Sequence, residues 1–192
     1  MADVIPYAWL YEPQDVDKAF DIWKASCAPA AAAAVLRCDV MAIRFRFPGF
    51  PKRPYANPTD IRTAFGHEPA IPYTRGYYIR EGKPPVRLPD LMLDYGLVFL
   101  QVSGPWNRPG VPMVSAYQHT HWVGFARTIE YGTMVYDING TNRHGCYGQW
   151  MSLMHWTAHV LPDIVSHMPK ANGDHFVRWT CALPELSGPL RN

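Results

Sequence analysis

Apolar positions in the first part of the chain recur at helical spacing. They predict a short amphipathic helix over residues 15–24. Four residues carry this pattern: Val16, Ala19, Phe20 and Trp23. A second helix is predicted over residues 27–37, because Ser26 suits an N-cap, proline is tolerated in a first turn and alanine is the best helix former. Its small side chains allow this helix to lie close against other elements.

The middle of the chain has a different pattern. Residues 40–89 are rich in Pro and Gly, which predicts irregular loops around one short helix at Thr59 to Phe65. We expect this Pro-rich insert to contribute substrate specificity rather than chemistry. A further short helix is predicted from Pro89 to Tyr95.

The second half of the chain carries β patterns. Four runs predict strands: Leu97 to Val102, His121 to Ala126, Thr133 to Ile138 and His175 to Ala182. Between the third and fourth runs, apolar residues from Gln149 to Val165 predict a helix that ends near Pro162.

The order of helices, loops and then antiparallel strands predicts an α+β fold in which an N-terminal helix packs against a curved antiparallel sheet. The length fits a single domain over residues 1–192, with a helical lobe at about 1–95 and a sheet lobe at about 96–192. A cleft between the two lobes is the expected active site.

Composition narrows the function classes. The chain is 48% hydrophobic and 18% charged, and its longest apolar run, residues 28–36, is too short to span a bilayer. The formal charge is +2 and the basic residues are scattered. We therefore expect neither a membrane nor a nucleic acid as a partner.

The N-terminus and the cysteines bear on location. Residues 1–6 lack the basic and apolar regions of a signal peptide, so we expect synthesis in the cytoplasm. The four cysteines are widely spaced, without a Cys-x-x-Cys pair, which favours free thiols. A protein delivered by a phage particle or a secretion apparatus remains compatible with these features.

The candidate chemistry begins at Cys27. A helix N-terminus favours the thiolate form of cysteine, which is the nucleophile, and a histidine held by a carboxylate can serve as its base. His121 opens one predicted strand and Asp137 closes the next. If Ala126 pairs with Gly132 across the intervening loop, His121 faces Asp137 directly.

These residues resemble those of a known family. Cys27-Ala28-Pro29-Ala30 before an alanine-rich helix is similar to the start of the papain-like peptidases related to the double-glycine leader (bacteriocin-processing) peptidases. A Gly-led apolar strand at Gly96, the run His121-Trp122-Val123 and Asp137 then follow in the family's order. The resemblance covers residues 14–138 and implies a papain-like fold with the triad Cys27, His121 and Asp137.

The chain departs from the family pattern at two positions. Ala28 replaces a glycine after the nucleophile. Asp21 stands where the family places the glutamine that donates a hydrogen bond to the oxyanion, and an ionised carboxylate cannot donate. We predict that Gln14 supplies this donor instead.

A metal site is the main chemical alternative. His155 and His159 lie four residues apart on a predicted helix, a spacing that can hold one metal ion. No glutamate follows His155, so the zinc-protease pattern His-Glu-x-x-His is missing. We expect no metal and no cofactor.

The sequence therefore predicts a cysteine hydrolase that cleaves a peptide, isopeptide or related amide bond in a peptide or protein substrate, through a thioester on Cys27. If an amine instead of water attacks the thioester, the same chemistry gives acyl transfer. The alternative is a catalytically weakened papain-like scaffold that acts as an interaction or virion structural protein of bacterial or phage type. The Pro-rich insert and the C-terminal extension, residues 140–192, are candidate surfaces for a protein partner.

Overall fold

The computed structural model describes residues 5–66, 73–77, 84–107 and 119–183. The helices are α1 (Val16–Trp23), α2 (Cys27–Leu36), α3 (Pro58–Phe65) and a composite helix, α4, over residues 153–166. Helix α4 consists of an α-helical turn Leu153–His155, a π-helical turn Trp156–Val160 and an α-helical segment Leu161–Ser166. Short 3-10 helices lie at Tyr7–Trp9, Val40–Arg46, Leu88–Asp90 and Pro105–Asn107.

The strands form one antiparallel sheet. They are β1 (Tyr73–Gly76), β2 (Tyr95–Val102), β3 (Thr120–Thr128), β4 (Gly132–Thr141), β5 (Tyr147–Ser152) and β6 (His175–Ala182). The described residues give a six-stranded sheet with the order β1-β6-β2-β3-β4-β5. The mixture of helices with an antiparallel sheet confirms the α+β class.

Both faces of the sheet are covered. The first face packs against α1 and α2, with Tyr136 and Trp150 among its buried side chains. The second face packs against α4 and the segment 88–93, with Val123 and Val135 among its buried side chains. The alternation of neighbouring residues such as Val135 and Tyr136 between two cores is what β2, β3 and β4 require when both faces are buried.

Helix α2 is the central helix of the first face. Residues 28–35 are all buried, and the helix contacts β2, β3 and β4. Six of these eight buried side chains are alanines, whose methyl groups allow close approach to the sheet. The helix ends at Arg37, which adopts the left-handed conformation typical of a C-terminal cap.

The prediction of a helix from Pro89 to Tyr95 is wrong. A 3-10 turn ends at Asp90, and Tyr95 already belongs to β2. Leu91 and Leu93 are buried on the second face while Met92 between them is 91% exposed. This period of two suits an extended chain and not a helix.

The helix predicted over residues 149–165 is wrong at its start. Residues 149–152 belong to β5, in which Trp150 is buried on the first face and Met151 on the second. The Ser152 side chain then accepts a hydrogen bond from the His155 backbone N–H and caps α4. Pro162 does not end the helix, because it occupies the first turn after the π-helical segment, where proline is tolerated.

Strand β1 was not predicted, and it joins the sheet from the part of the chain expected to form a helical lobe. It pairs with β6 at the edge of the sheet. The division into lobes at residue 95 therefore does not separate helices from strands. Residues 67–72 and 78–83 of the Pro-rich insert, and residues 184–192 of the C-terminal extension, lie outside the described part of the chain.

The β3–β4 hairpin has a different register from the one assumed. Ala126 pairs with Met134, and Thr128 pairs with Gly132. The strands continue two residues further towards a tighter turn than the predicted loop. Because the shift is even, each side chain keeps its face, and His121 remains on the same side as Asp137.

Candidate active site

Cys27 lies at the mouth of a cleft. It is the first residue of α2, is half-buried, and lines a cavity of about 650 Å³. The walls of this cleft come from α1, from the start of α2, from β3 and β4, and from Tyr147 at the start of β5. The helix N-terminus, the strand ends and an open space therefore meet at the predicted nucleophile.

The start of α2 keeps its backbone dipole directed at the cleft. Ser26 occupies the N-cap position, but its hydroxyl donates to the Pro54 carbonyl, 3.3 Å away, and does not cap the helix. The partial positive charge of the first helical turn is thus not neutralised by the N-cap side chain, and it favours the thiolate of Cys27.

His121 faces Cys27 from β3. Its side chain is 9% exposed, and its Nε2 atom lies 2.9 Å from Oδ2 of Asp137 on β4. The predicted contact between His121 and Asp137 is therefore confirmed, although it runs diagonally across the two strands instead of between direct partners. Because Nε2 is engaged by Asp137, Nδ1 is the ring nitrogen left for Cys27.

The Cys27 side chain completes the chain of contacts. His121 and the backbone N–H of Trp122 are the groups that favour its ionised form. Burial raises the pKa of the Cys27 thiol, but the hydrogen bond and charge of His121 and the Trp122 N–H together bring that pKa below its ordinary value. The arrangement stabilises a thiolate.

The electrostatics of His121 complement this thiolate. Burial lowers the pKa of His121, but the charge and hydrogen bond of Asp137, with a contribution from Cys27, raise it well above its ordinary value. Burial likewise raises the pKa of Asp137, and the His121 charge and the hydrogen bonds to the carboxylate bring it below the ordinary value. The opposite shifts of the Cys27 and His121 pKa values favour a thiolate–imidazolium pair backed by a carboxylate.

Asp137 has two further partners that the sequence analysis missed. Its side chain is fully buried, and Oδ1 accepts from both the backbone N–H and the side-chain amide of Asn139, each at 2.9 Å. Oδ2 accepts from the Trp156 indole N–H at 2.7 Å. The Asp-x-Asn spacing is a sequence signal for the first contact, because Asx residues bond the backbone two positions on. No local pattern indicates the contact with Trp156.

Gln14 is not placed at this site. It is exposed, its side-chain amide donates to the Glu12 carbonyl at 2.6 Å, and it lines a different cavity of about 500 Å³. The prediction that Gln14 donates to the oxyanion is therefore not supported. Asp21 does line the cleft, together with Asp17 one turn earlier on α1.

The histidines on α4 do not form a metal site with their neighbours. The rings of His155 and His159 lie 4.5 Å apart on an exposed face. Within residues 5–66, 73–77, 84–107 and 119–183, no three His, Cys, Asp or Glu side chains are grouped closely enough to hold a metal ion. None of the helices in these ranges has the length and apolarity needed to cross a membrane.

Comparisons with known proteins leave the family open. No protein-family model, no curated protein and no solved structure gave a match to this chain.

Proposed function

We propose that this protein is a papain-like cysteine hydrolase that cleaves a peptide, isopeptide or related amide bond. The observation that supports this most strongly is that Cys27 and His121 line the same cleft of about 650 Å³, with His121 held by Asp137 through a 2.9 Å hydrogen bond. An α+β fold led by the nucleophile helix is also what a papain-like protein would have.

The proposed reaction begins with attack on the amide. The Cys27 thiolate bonds to the carbonyl carbon of the substrate and forms a tetrahedral oxyanion. The His121 imidazolium then gives its Nδ1 proton to the leaving amine as the carbon–nitrogen bond breaks, which produces a thioester and a neutral imidazole. Asp137 keeps the ring oriented through Nε2.

Hydrolysis of the thioester restores the enzyme. Neutral His121 removes a proton from water, the resulting hydroxide attacks the thioester carbonyl, and the carbon–sulfur bond breaks to release the acid. The released thiolate and the newly protonated His121 reform the ion pair. An amine that replaces water in this step would give acyl transfer.

The oxyanion requires hydrogen-bond donors close to Cys27. The backbone N–H of Cys27 at the start of α2 is one candidate. Among the other donor-bearing side chains of the cleft, Ser26 donates to Pro54 and the Asn139 amide donates to Asp137. The Tyr147 hydroxyl, on a side chain that is 57% exposed, and the second N–H of the Asn139 amide are the remaining candidates for the role assigned to glutamine in the family.

Thiol reactivity tests this proposal without knowledge of the substrate. Iodoacetamide at about pH 6, followed by mass spectrometry of each cysteine, should label Cys27 at least about tenfold faster than Cys146. Cys146 is the matched control because it is also half-buried. Cys181 should stay unlabelled, because burial raises its pKa to about 12.

Two results would contradict the proposal. One is labelling of Cys27 at the rate of Cys146. The other is equal turnover of any amide substrate by the wild-type protein and by the Cys27→Ala variant, because the thioester cannot form without the sulfur.

A second candidate function is a papain-like scaffold with weakened catalysis, acting as an interaction or virion structural protein. The placement of Asp21 favours it, since this exposed carboxylate lines the cleft at the position where the family has an oxyanion donor. The scaffold predicts labelling of Cys27 no faster than that of Cys38 or Cys181 and no turnover of peptide amides, whereas the hydrolase predicts rapid labelling of Cys27 and turnover.

A further inference from the structure

The carboxylate of Asp137 is unusually well supplied with donors. Asn139 gives two hydrogen bonds to Oδ1, and Oδ2 receives one from His121 and one from Trp156. The side chain is fully buried, so no solvent competes for these oxygens. His121 and Trp156 therefore share a single oxygen atom, and the strength of one bond affects the other.

Trp156 reaches this oxygen from the face of the sheet opposite to α2. It begins the π-helical turn of α4, is fully buried, and packs its ring edge-on against His175 of β6, with ring centroids 5.3 Å apart. π-Helical turns are rare and occur frequently at functional sites. The turn and the ring packing together fix where the indole N–H points.

We propose that Trp156 is a positioning residue of the active site, which holds Oδ2 of Asp137 in place and limits how strongly that oxygen binds the proton on His121. This inference rests on the proposed hydrolase function. It adds a residue on the second face of the sheet to a site whose nucleophile belongs to the first.

The direction of the effect follows from the shared oxygen. A donor that bonds to a carboxylate lowers the carboxylate's affinity for a proton, so its attraction for the neighbouring imidazolium weakens. When the indole N–H is lost, the carboxylate attracts the His121 imidazolium more strongly. The imidazolium then persists to higher pH, and the general base becomes available only at that higher pH.

Several other titratable groups lie around this pair. They are Cys27 on α2, His175 on β6, and Asp17 and Asp21 on the α1 wall of the cleft. Burial and the charge of Arg87 lower the pKa of His175. Both effects favour the neutral form of His175.

The test replaces the indole N–H and follows the pH dependence of Cys27 alkylation. The variants are Trp156→Phe and a full-length protein in which Trp156 is replaced by β-(3-benzothienyl)alanine, which keeps the ring shape without the N–H. Trp150→Phe is the matched control, since Trp150 is also buried and its indole donates to the Tyr11 carbonyl, away from the cleft.

Both Trp156 variants should move the alkaline limb of the alkylation profile upwards by about one pH unit, the effect of losing one charge-assisted hydrogen bond. Trp150→Phe should leave the profile in place, even if its thermal stability falls. An unchanged profile in the benzothienyl protein would overturn the inference. Slow labelling of Cys27 in the wild-type protein would instead overturn the proposed function.

Discussion

At the scale of single residues, the main feature is a buried carboxylate that keeps its charge. Asp137 is fully buried, and burial without partners would favour the neutral acid. Four hydrogen bonds and the adjacent His121 charge reverse that preference. The charge stabilises an imidazolium, which in turn stabilises the thiolate of Cys27 two contacts away.

The variant Asp137→Asn tests this electrostatic series. An amide has the size of the carboxylate but no charge, so the His121 imidazolium loses its partner and the pKa of the Cys27 thiol should rise. We expect alkylation of Cys27 at about pH 6 to slow by about tenfold or more.

The matched control for this measurement is Asp163→Asn. Asp163 is an exposed carboxylate on α4 that does not line the cleft. The Asp163→Asn variant should therefore be alkylated at Cys27 at the wild-type rate. Equal rates for Asp137→Asn and the wild-type protein would contradict the assigned role of the Asp137 charge.

At the scale of elements, each wall of the cleft contributes one property. Helix α2 supplies the nucleophile, and β3 and β4 supply the base and its carboxylate. Helix α4 donates a hydrogen bond to that carboxylate from the second face of the sheet. Helix α1 contributes charge, since Asp17 and Asp21 line the cleft one helical turn apart. The Lys24 ammonium, 5.0 Å from the centre of the Phe20 ring, offsets part of this charge.

The α1 wall should therefore favour cationic reagents over anionic ones at Cys27. We expect the trimethylammonium-ethyl methanethiosulfonate to react faster than the sulfonatoethyl reagent, relative to their rates with a small free thiol. The double variant Asp17→Asn, Asp21→Asn should lower this ratio by about twofold or more at low ionic strength.

Salt and a second thiol provide controls for the charge effect. The ratio should fall as ionic strength rises, because exposed charges are screened. Cys146, which lies outside the cleft lining, should give the same ratio in the double variant and the wild-type protein. A ratio at Cys27 that does not change in the double variant would show that the α1 carboxylates do not act on the cleft.

At the scale of the whole molecule, distant parts of the sequence are held together by close backbone contacts. β2 pairs with β6 near Gly96 and Cys181. Gly96 has φ +151°, and a Cβ at this position would lie 2.1 Å from the Cys181 carbonyl oxygen. Gly96 is the glycine that forms part of the family-like order in the sequence. The close approach of β6 explains why a residue without a side chain is needed there.

Gly96→Ala should destabilise the protein by about 2–3 kcal/mol, because backbone strain and a backbone clash add together. Gly145→Ala is the matched control, since Gly145 also has a positive φ but no atom of the described residues lies within 4 Å of where its Cβ would be. It should cost about 1 kcal/mol. Urea unfolding measures both, and equal losses would show that the contact with Cys181 is unimportant.

The sequence alone predicted the helices and strands that are favoured by the conformational preferences of their own residues. The alanine-rich run after Cys27 forms a helix because alanine favours helices, and four predicted runs form strands of the sheet because their β-branched and aromatic residues pack well there. The even spacing of residues along strands also made the contact between His121 and Asp137 predictable despite a register error of two residues.

The tertiary structure alone decided the position of β5, the location of Gln14 and the role of Trp156. Each of these depends on which parts of the folded chain the residue packs against. Residues 149–152 fit a helical pattern, yet they form β5 because Trp150 and Met151 bury on opposite faces of the sheet. Gln14 was a plausible donor in the sequence, but the fold places it in another cavity. No local sequence pattern indicates the bond from Trp156 to Asp137, because it forms only when α4 packs against the second face of the sheet.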